Sequence, residues 1–164
     1  MYKRQGLNVS RETSLALDEY AALLRKWNSK INLVAPSTIS EIHRRHLEDS
    51  AQIYPHIPEA AQTVVDIGAG AGLPGIILAI LAKESRPDLK FVLVESDQRK
   101  ATFCRTAIWT IGLSAEVKAQ RIEALDRLNA DLITARALAP LSRLLEYAET
   151  VSYTHLTLPT TSRV

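Results

Sequence analysis

The sequence predicts a doubly wound, mainly parallel α/β sheet with a helical N-terminal extension, and three observations carry that expectation. Short apolar runs rich in β-branched residues, at 63–67, 90–95 and 131–135, read as strands buried on both faces. Segments of helical periodicity alternate with them, and the resulting order α-α-β-α-β-α-β-α-β-α is that of successive βαβ units. Residues 63–75 read T-V-V-D-I-G-A-G-A-G-L-P-G, a strand, a glycine loop and a helix start in succession. That is the first half of a nucleotide-binding unit.

The elements follow in chain order. Leu17, Tyr20, Leu24, Trp27 and Ile31 recur at spacings of three and four, which predicts an amphipathic helix over 13–31 with Trp27 in the core. Asn28, Ser29 and Asn32 weaken its end, and Pro36 stops any continuation. Thr38-Ile39-Ser40-Glu41 has capping-box spacing and predicts a second helix to about Ile53, carrying His43, Arg44, Arg45, His46, Glu48 and Asp49. Pro74 suits the first turn of the helix after the glycine loop. A helix over 97–111 ends at Gly112, and 115–118 reads as a charged edge strand. A short helical piece starts at Arg121, and a last helix runs over 140–149. We expect one domain over 1–150, a helical cap (1–58) on an α/β core (59–150). The Thr-rich stretch 151–164, without a glycine turn and without charge before Arg163, is expected to be foreign to the fold.

Composition narrows the function classes. At 164 residues the chain is one domain with a real core, and 46% hydrophobic and 23% charged residues are ordinary for a globular protein. The formal charge of +2 does not by itself argue for nucleic acid. Cys104 is the single cysteine, so a disulfide framework and a Cys-rich metal site are excluded, and no metal is expected. Neither a secretory signal nor an apolar run of about 18 residues is present, which predicts a cytoplasmic protein without a membrane span; a monomer is expected, although the sequence itself is silent on oligomeric state.

The glycines admit two readings. Gly70-Ala71-Gly72-Leu73-Pro74-Gly75 literally satisfies G-x-G-x-x-G, which permits an NAD-linked oxidoreductase. The register Asp66-x-Gly68-x-Gly70-x-Gly72 starts where the strand ends and places a carboxylate there. That charge would repel a pyrophosphate and attract an ammonium, which favours S-adenosyl-L-methionine. Glu95, at the end of the second strand, is suited to a ribose diol. Ile122 and Glu123 follow the third strand, where a loop can close on adenine. Arg136, at a strand end beside the crevice, is a candidate catalytic residue, and His46, with Asp49 three residues on to pair with it, is a second.

These residues resemble a known family, the bacterial 16S rRNA guanine-N7 methyltransferases (glucose-inhibited division protein B). The matching stretches are Trp27-Asn28 with Ile31-Asn32-Leu33-Val34, and Arg45-His46-Leu47-Glu48-Asp49-Ser50. After them come Asp66-Ile67-Gly68-Ala69-Gly70-Ala71-Gly72-Leu73-Pro74-Gly75 and Ala135-Arg136-Ala137. The resemblance implies a class I (Rossmann-like) methyltransferase whose last strands, including a Lys-Gly element, are missing here. It implies donor contacts at Gly68, Leu73, Ile122, Glu123 and Arg136, with Glu95 on the ribose, and a guanosine of 16S rRNA in the small ribosomal subunit as substrate. An inactive, truncated domain that binds donor or RNA is the remaining alternative.

Overall fold

The computed structural model describes residues 2–4 and 7–152. Its centre is a four-stranded, wholly parallel sheet of β3 (Thr63–Ile67), β4 (Lys90–Val94), β5 (Ala115–Lys118) and β6 (Leu132–Ala135), in the order β5-β4-β3-β6. Helices α3 (Gly75–Ser85) and α4 (Gln98–Ile111) make the first two crossovers, a 3₁₀ turn (Ile122–Ala124) lies in the connection from β5 to β6, and α5 (Leu141–Val151) follows β6. The doubly wound class read from the sequence is therefore the observed one, and β5 is an edge strand.

Two-residue alternation explains how the sheet is covered. Val64, Phe91 and Leu93 face a large core built with α1 (Arg11–Asn28), α3 and α4, whereas Val65, Ile67, Val92 and Val94 face a smaller one with Ile122 and α5. α3 is apolar almost all round because it is enclosed by the sheet on one side and α1 on the other. Asp97 caps α4 by accepting from the Arg99 and Lys100 amides, and Gly112 ends it in the left-handed conformation (φ 69°).

The N-terminal section differs from the expected pair of helices. It opens with an antiparallel hairpin, β1 (Tyr2–Arg4) paired with β2 (Leu7–Val9), which has no clear alternation in the sequence. The second helix is not a regular α-helix from Thr38. A 3₁₀ turn (Pro36–Glu41) leads into a π-helical turn (His43–Glu48) and a last α-turn, α2 (Asp49–Ala51). Pro36 starts this segment rather than ending the previous one, since proline is tolerated in a first turn. Thr38 is no cap; its hydroxyl donates to the Ala35 carbonyl (2.7 Å). At the other end Val151, placed in the foreign tail by sequence, is fully buried as the last residue of α5, and its carbonyl accepts from the Leu128 and Ala130 amides. The rest of that tail, 153–164, lies outside the described residues.

α1 braces the glycine loop. Tyr20, wholly buried, donates its hydroxyl to the Ala71 carbonyl (2.7 Å), and Trp27 meets Phe103 edge-on at 5.7 Å, as core packing requires. Asn28 accepts from both the Leu33 and Val34 amides (2.9 Å each), which folds 29–34 back toward the sheet. Tyr20→Phe strands the buried Ala71 carbonyl, and we expect it to cost about 1–3 kcal/mol in urea denaturation; an unchanged midpoint would refute the brace.

Candidate donor-binding cleft

The carboxyl ends of β3, β4 and β6 border a cleft of about 430 Å³, on the side of the sheet where open α/β folds take ligands. The chain runs outward from β3 to β5 and returns to β6, so the order reverses between β3 and β6, beside the cleft. Of the candidate site residues, Gly68, Gly70, Glu95, Ile122, Glu123 and Arg136 line it.

Gly70 has φ 56°, and a Cβ added there would meet only the Gly68 carbonyl oxygen, at 3.8 Å. The face of Gly70 is therefore bare and open to a ligand. A Cβ on Gly68 would instead strike Leu138 Cδ1 at 2.4 Å, so the loop after β6 lies against the glycine loop. Glu95 is buried, with Oε2 accepting from the Gly70 amide (2.7 Å) and Oε1 from the Asp97 amide (2.8 Å). Each oxygen keeps a lone pair for a hydroxyl, so the two bonds orient the carboxylate without exhausting it. On the far wall Tyr147 donates to Glu123 Oε1 (3.2 Å), and Arg143 Nε donates to the Tyr147 hydroxyl (2.8 Å). Lys100, Leu138 and Tyr147 are lining residues that sequence reading missed. Lys100 had a signal, one turn into the helix after Glu95; Leu138 and Tyr147 had none, being brought in by loop and helix packing.

Three predicted donor residues stand elsewhere. Asp66 does not line the cleft: it is 1% exposed, with Oδ1 accepting from the Thr134 hydroxyl (2.8 Å) and Oδ2 from the Gly75 amide (3.1 Å). It lies on the Val64 face of β3, so it points under α3 rather than off the strand tip. Gly72 faces Ile76, where a Cβ would come within 2.3 Å of Cδ1, and Leu73 is buried in the core. These residues shape the loop from behind, and the carboxylates in the cleft are Glu95 and Glu123.

The catalytic candidates also separate. Arg136 lines the cleft, with Nη2 donating to the Arg45 carbonyl (3.1 Å) and lying 3.3 Å from Asp49 Oδ2; its buried Nη1 has no partner. His46 is 7% exposed, lies outside the cleft lining and sits with Nε2 2.7 Å from Thr38 Oγ1. Burial, then the nearby Arg136 charge, pulls its pKa below the usual value. Asp49 pairs with Arg136 rather than with His46, because a π-turn precedes it and shifts the faces. Glu41 engages both Arg44 and Arg45. Among the described residues no group of three metal-ligating side chains occurs, and no helix is long and apolar enough to cross a membrane.

Burial pushes the Asp66 carboxyl up to about 7, against the lowering pull of the Thr134 and Gly75 bonds and with help from the Glu95 charge. The folded value lies above the reference 3.8, so this group's stabilisation is complete below about 4 and is lost as pH rises through 7. We expect the Asp66 carboxyl carbon to titrate near 7 by NMR; a midpoint near 4 would refute that burial dominates.

Comparison with known proteins places this geometry. The family described as rRNA small subunit methyltransferase G (GidB) matches residues 14–156. The chain is 54% identical over 140 residues to the ribosomal RNA small subunit methyltransferase G of Cereibacter sphaeroides, covering 85% of this chain and 67% of that protein. It is 52% identical over 144 residues to the protein of the same name from Paracoccus denitrificans, covering 87% and 72%. The chain thus spans about two thirds of the length of these relatives. The fold is similar to that of the O-methyltransferase TomG from Streptomyces achromogenes, solved in complex with SAM: TM-score 0.53, 20% identity, 90% of this chain and 63% of that one. An oxidoreductase reading of the glycines has no support left, and the chain belongs to the rRNA small subunit methyltransferase G (GidB) family.

Proposed function

We propose that this chain binds S-adenosylmethionine in the cleft and transfers its methyl group to N7 of a guanosine in 16S ribosomal RNA, acting in the cytoplasm as a monomer on the small ribosomal subunit. The observation that carries the reading is the bare face of Gly70 beside the oriented carboxylate of Glu95, in a chain of this family. The residues fit that donor. A cleft of about 430 Å³ is the size of a small-molecule site, Glu95 can accept from both ribose hydroxyls, and Ile122 offers an apolar wall to adenine. When bound, S-adenosylmethionine supplies an electrophilic methyl group. Glu95 and Glu123 put negative charge beside a cationic ligand, a role that Asp66, buried and off the cleft lining, fills poorly.

N7 of guanine carries an in-plane lone pair, so no general base is needed to expose it. The protein's task is alignment, and orientation of reacting groups can supply roughly 7–11 kcal/mol of a barrier. Arg136 is the residue best placed for it: it lines the cleft, and its guanidinium is oriented there through Nη2 by the Arg45 carbonyl and the Asp49 carboxylate. We assign it to guanine or to its phosphate. His46 is a positioning residue, a buried strut on the segment that supplies both Arg136 anchors.

Two outcomes test this reading. Gly70→Val fills the open face of the loop; we expect calorimetric S-adenosylmethionine binding to be lost while the circular-dichroism spectrum is kept, and unchanged affinity would refute the donor assignment. Arg136→Ala removes a partly exposed ion pair, which costs about 0–1 kcal/mol of stability. We expect it to lower methyl transfer to small subunits at least tenfold in a tritium-methyl assay; full activity would remove Arg136 from the reaction.

A further inference from the structure

Beside the donor cleft lies a second depression of about 370 Å³, between the turn after α1 and the first turn of α4. It is lined by Asn28, Lys30 and Asn32 from one side and Asp97, Arg99 and Lys100 from the other. The two hollows share one residue, Lys100. We propose that this groove holds a backbone phosphate of the RNA next to the nucleotide whose base enters the cleft; the inference rests on the RNA methyltransferase reading above.

The chemistry of the lining selects the ligand. Three cations face one carboxylate, and that carboxylate is already engaged. Asp97 Oδ1 accepts from the Arg99 and Lys100 amides (2.8 and 3.2 Å), and Oδ2 lies 3.6 Å from Arg99 Nη2. Lys30 and Lys100 have no carboxylate partner among the described residues. Asn28 has spent its oxygen on the Leu33 and Val34 amides, so only its NH₂ remains for a ligand. The groove thus offers mainly donors and positive charge, which suits phosphate oxygens and suits neither a cation nor an apolar side chain. Half-buried Lys100 joins the groove to the cleft, so a polyanion threaded through one would place its base near the other. The Asn28 bonds that fold back 29–34 also hold Leu33 in the wall of the cleft, so one short segment serves both hollows.

The test is RNA affinity as a function of salt, with protein-free 16S rRNA transcribed in vitro as probe. The variants are Lys30→Ala and Arg99→Ala, both exposed and both outside the donor cleft. Lys90→Ala, at the opposite end of the sheet, is the control. We expect each groove variant to weaken RNA binding and to flatten the slope of log affinity against log salt by about 0.7–0.9, the value for one lost phosphate contact. Calorimetric S-adenosylmethionine affinity and the Lys90→Ala slope should stay at wild-type values. Wild-type slopes in both groove variants would overturn the groove while leaving the RNA reading intact. A wild-type chain that binds the donor and not the RNA would overturn both, and a loss shared equally by Lys90→Ala would reduce the groove to general surface charge.

Discussion

The fold and its site both depend on one buried carboxylate that joins three elements. Asp66 on β3 accepts from Thr134 on β6 and from the first amide of α3, so it ties the switch-point strands to the start of the helix that follows the glycine loop. Gly75 exists for this contact: a Cβ there would stand 2.8 Å from Asp66 Oδ2 and 2.9 Å from its Cβ. A helix packed this closely on a strand leaves the loop between them little freedom. Burying a charge is costly, and the upward push on the Asp66 proton is that cost expressed as a pKa. The two hydrogen bonds, both donated to the carboxyl, offset part of that cost and anchor the loop from behind, off the cleft lining.

With its rear fixed, the loop can present its front. Tyr20 holds the Ala71 carbonyl, Glu95 holds the Gly70 amide, and Leu138 lies on Gly68. These contacts come from α1, from the end of β4 and from the turn after β6, segments far apart in sequence. Gly70 is the glycine of the loop left facing open space, and that follows from every other face being occupied. The open face of the cleft is thus less a motif than the remainder of a packing solution, with Glu95 ordering the loop and keeping lone pairs free beside it.

The architecture was legible because periodicity and burial coincide here. β-branched runs mark the parallel strands, the three- and four-residue spacing marks α1, and Gly112 marks the end of α4. The misreadings have physical causes. Asp66 was assigned to the ligand on charge, but its parity with Val64 puts it on the helix face of β3, an inference available from alternation alone. The segment 36–51 has an α-helical capping pattern and adopts 3₁₀ and π turns, because Thr38 and His46 bond each other across it. Helix-capping propensity does not encode a side-chain bond between residues eight apart. His46 and Asp49 were paired on ideal helical spacing, which a π-turn does not respect.

The two sides of the cleft are not equally supported. The wall made by the glycine loop, Glu95 and Lys100 rests on the large core with α1, α3 and α4, which contains Tyr20, Phe103 and the aliphatic face of α3. The wall made by Ile122, Leu138 and Tyr147 rests on a core of seven buried residues, and β6 behind it pairs with β3 alone among the described strands. β6 is half-buried over its first two residues, where β4 is buried over its last four. Local opening free energies follow buried contacts, so the Ile122 wall and the turn carrying Arg136 lie at the softer end of the molecule. Arg136 escapes that softness in part because its guanidinium is held from the other layer, by the Arg45 carbonyl and the Asp49 carboxylate. The irregular 36–51 segment therefore does for the reacting side of the cleft what Asp66 does for the glycine loop: it fixes from outside the sheet a group that its own strand leaves loose.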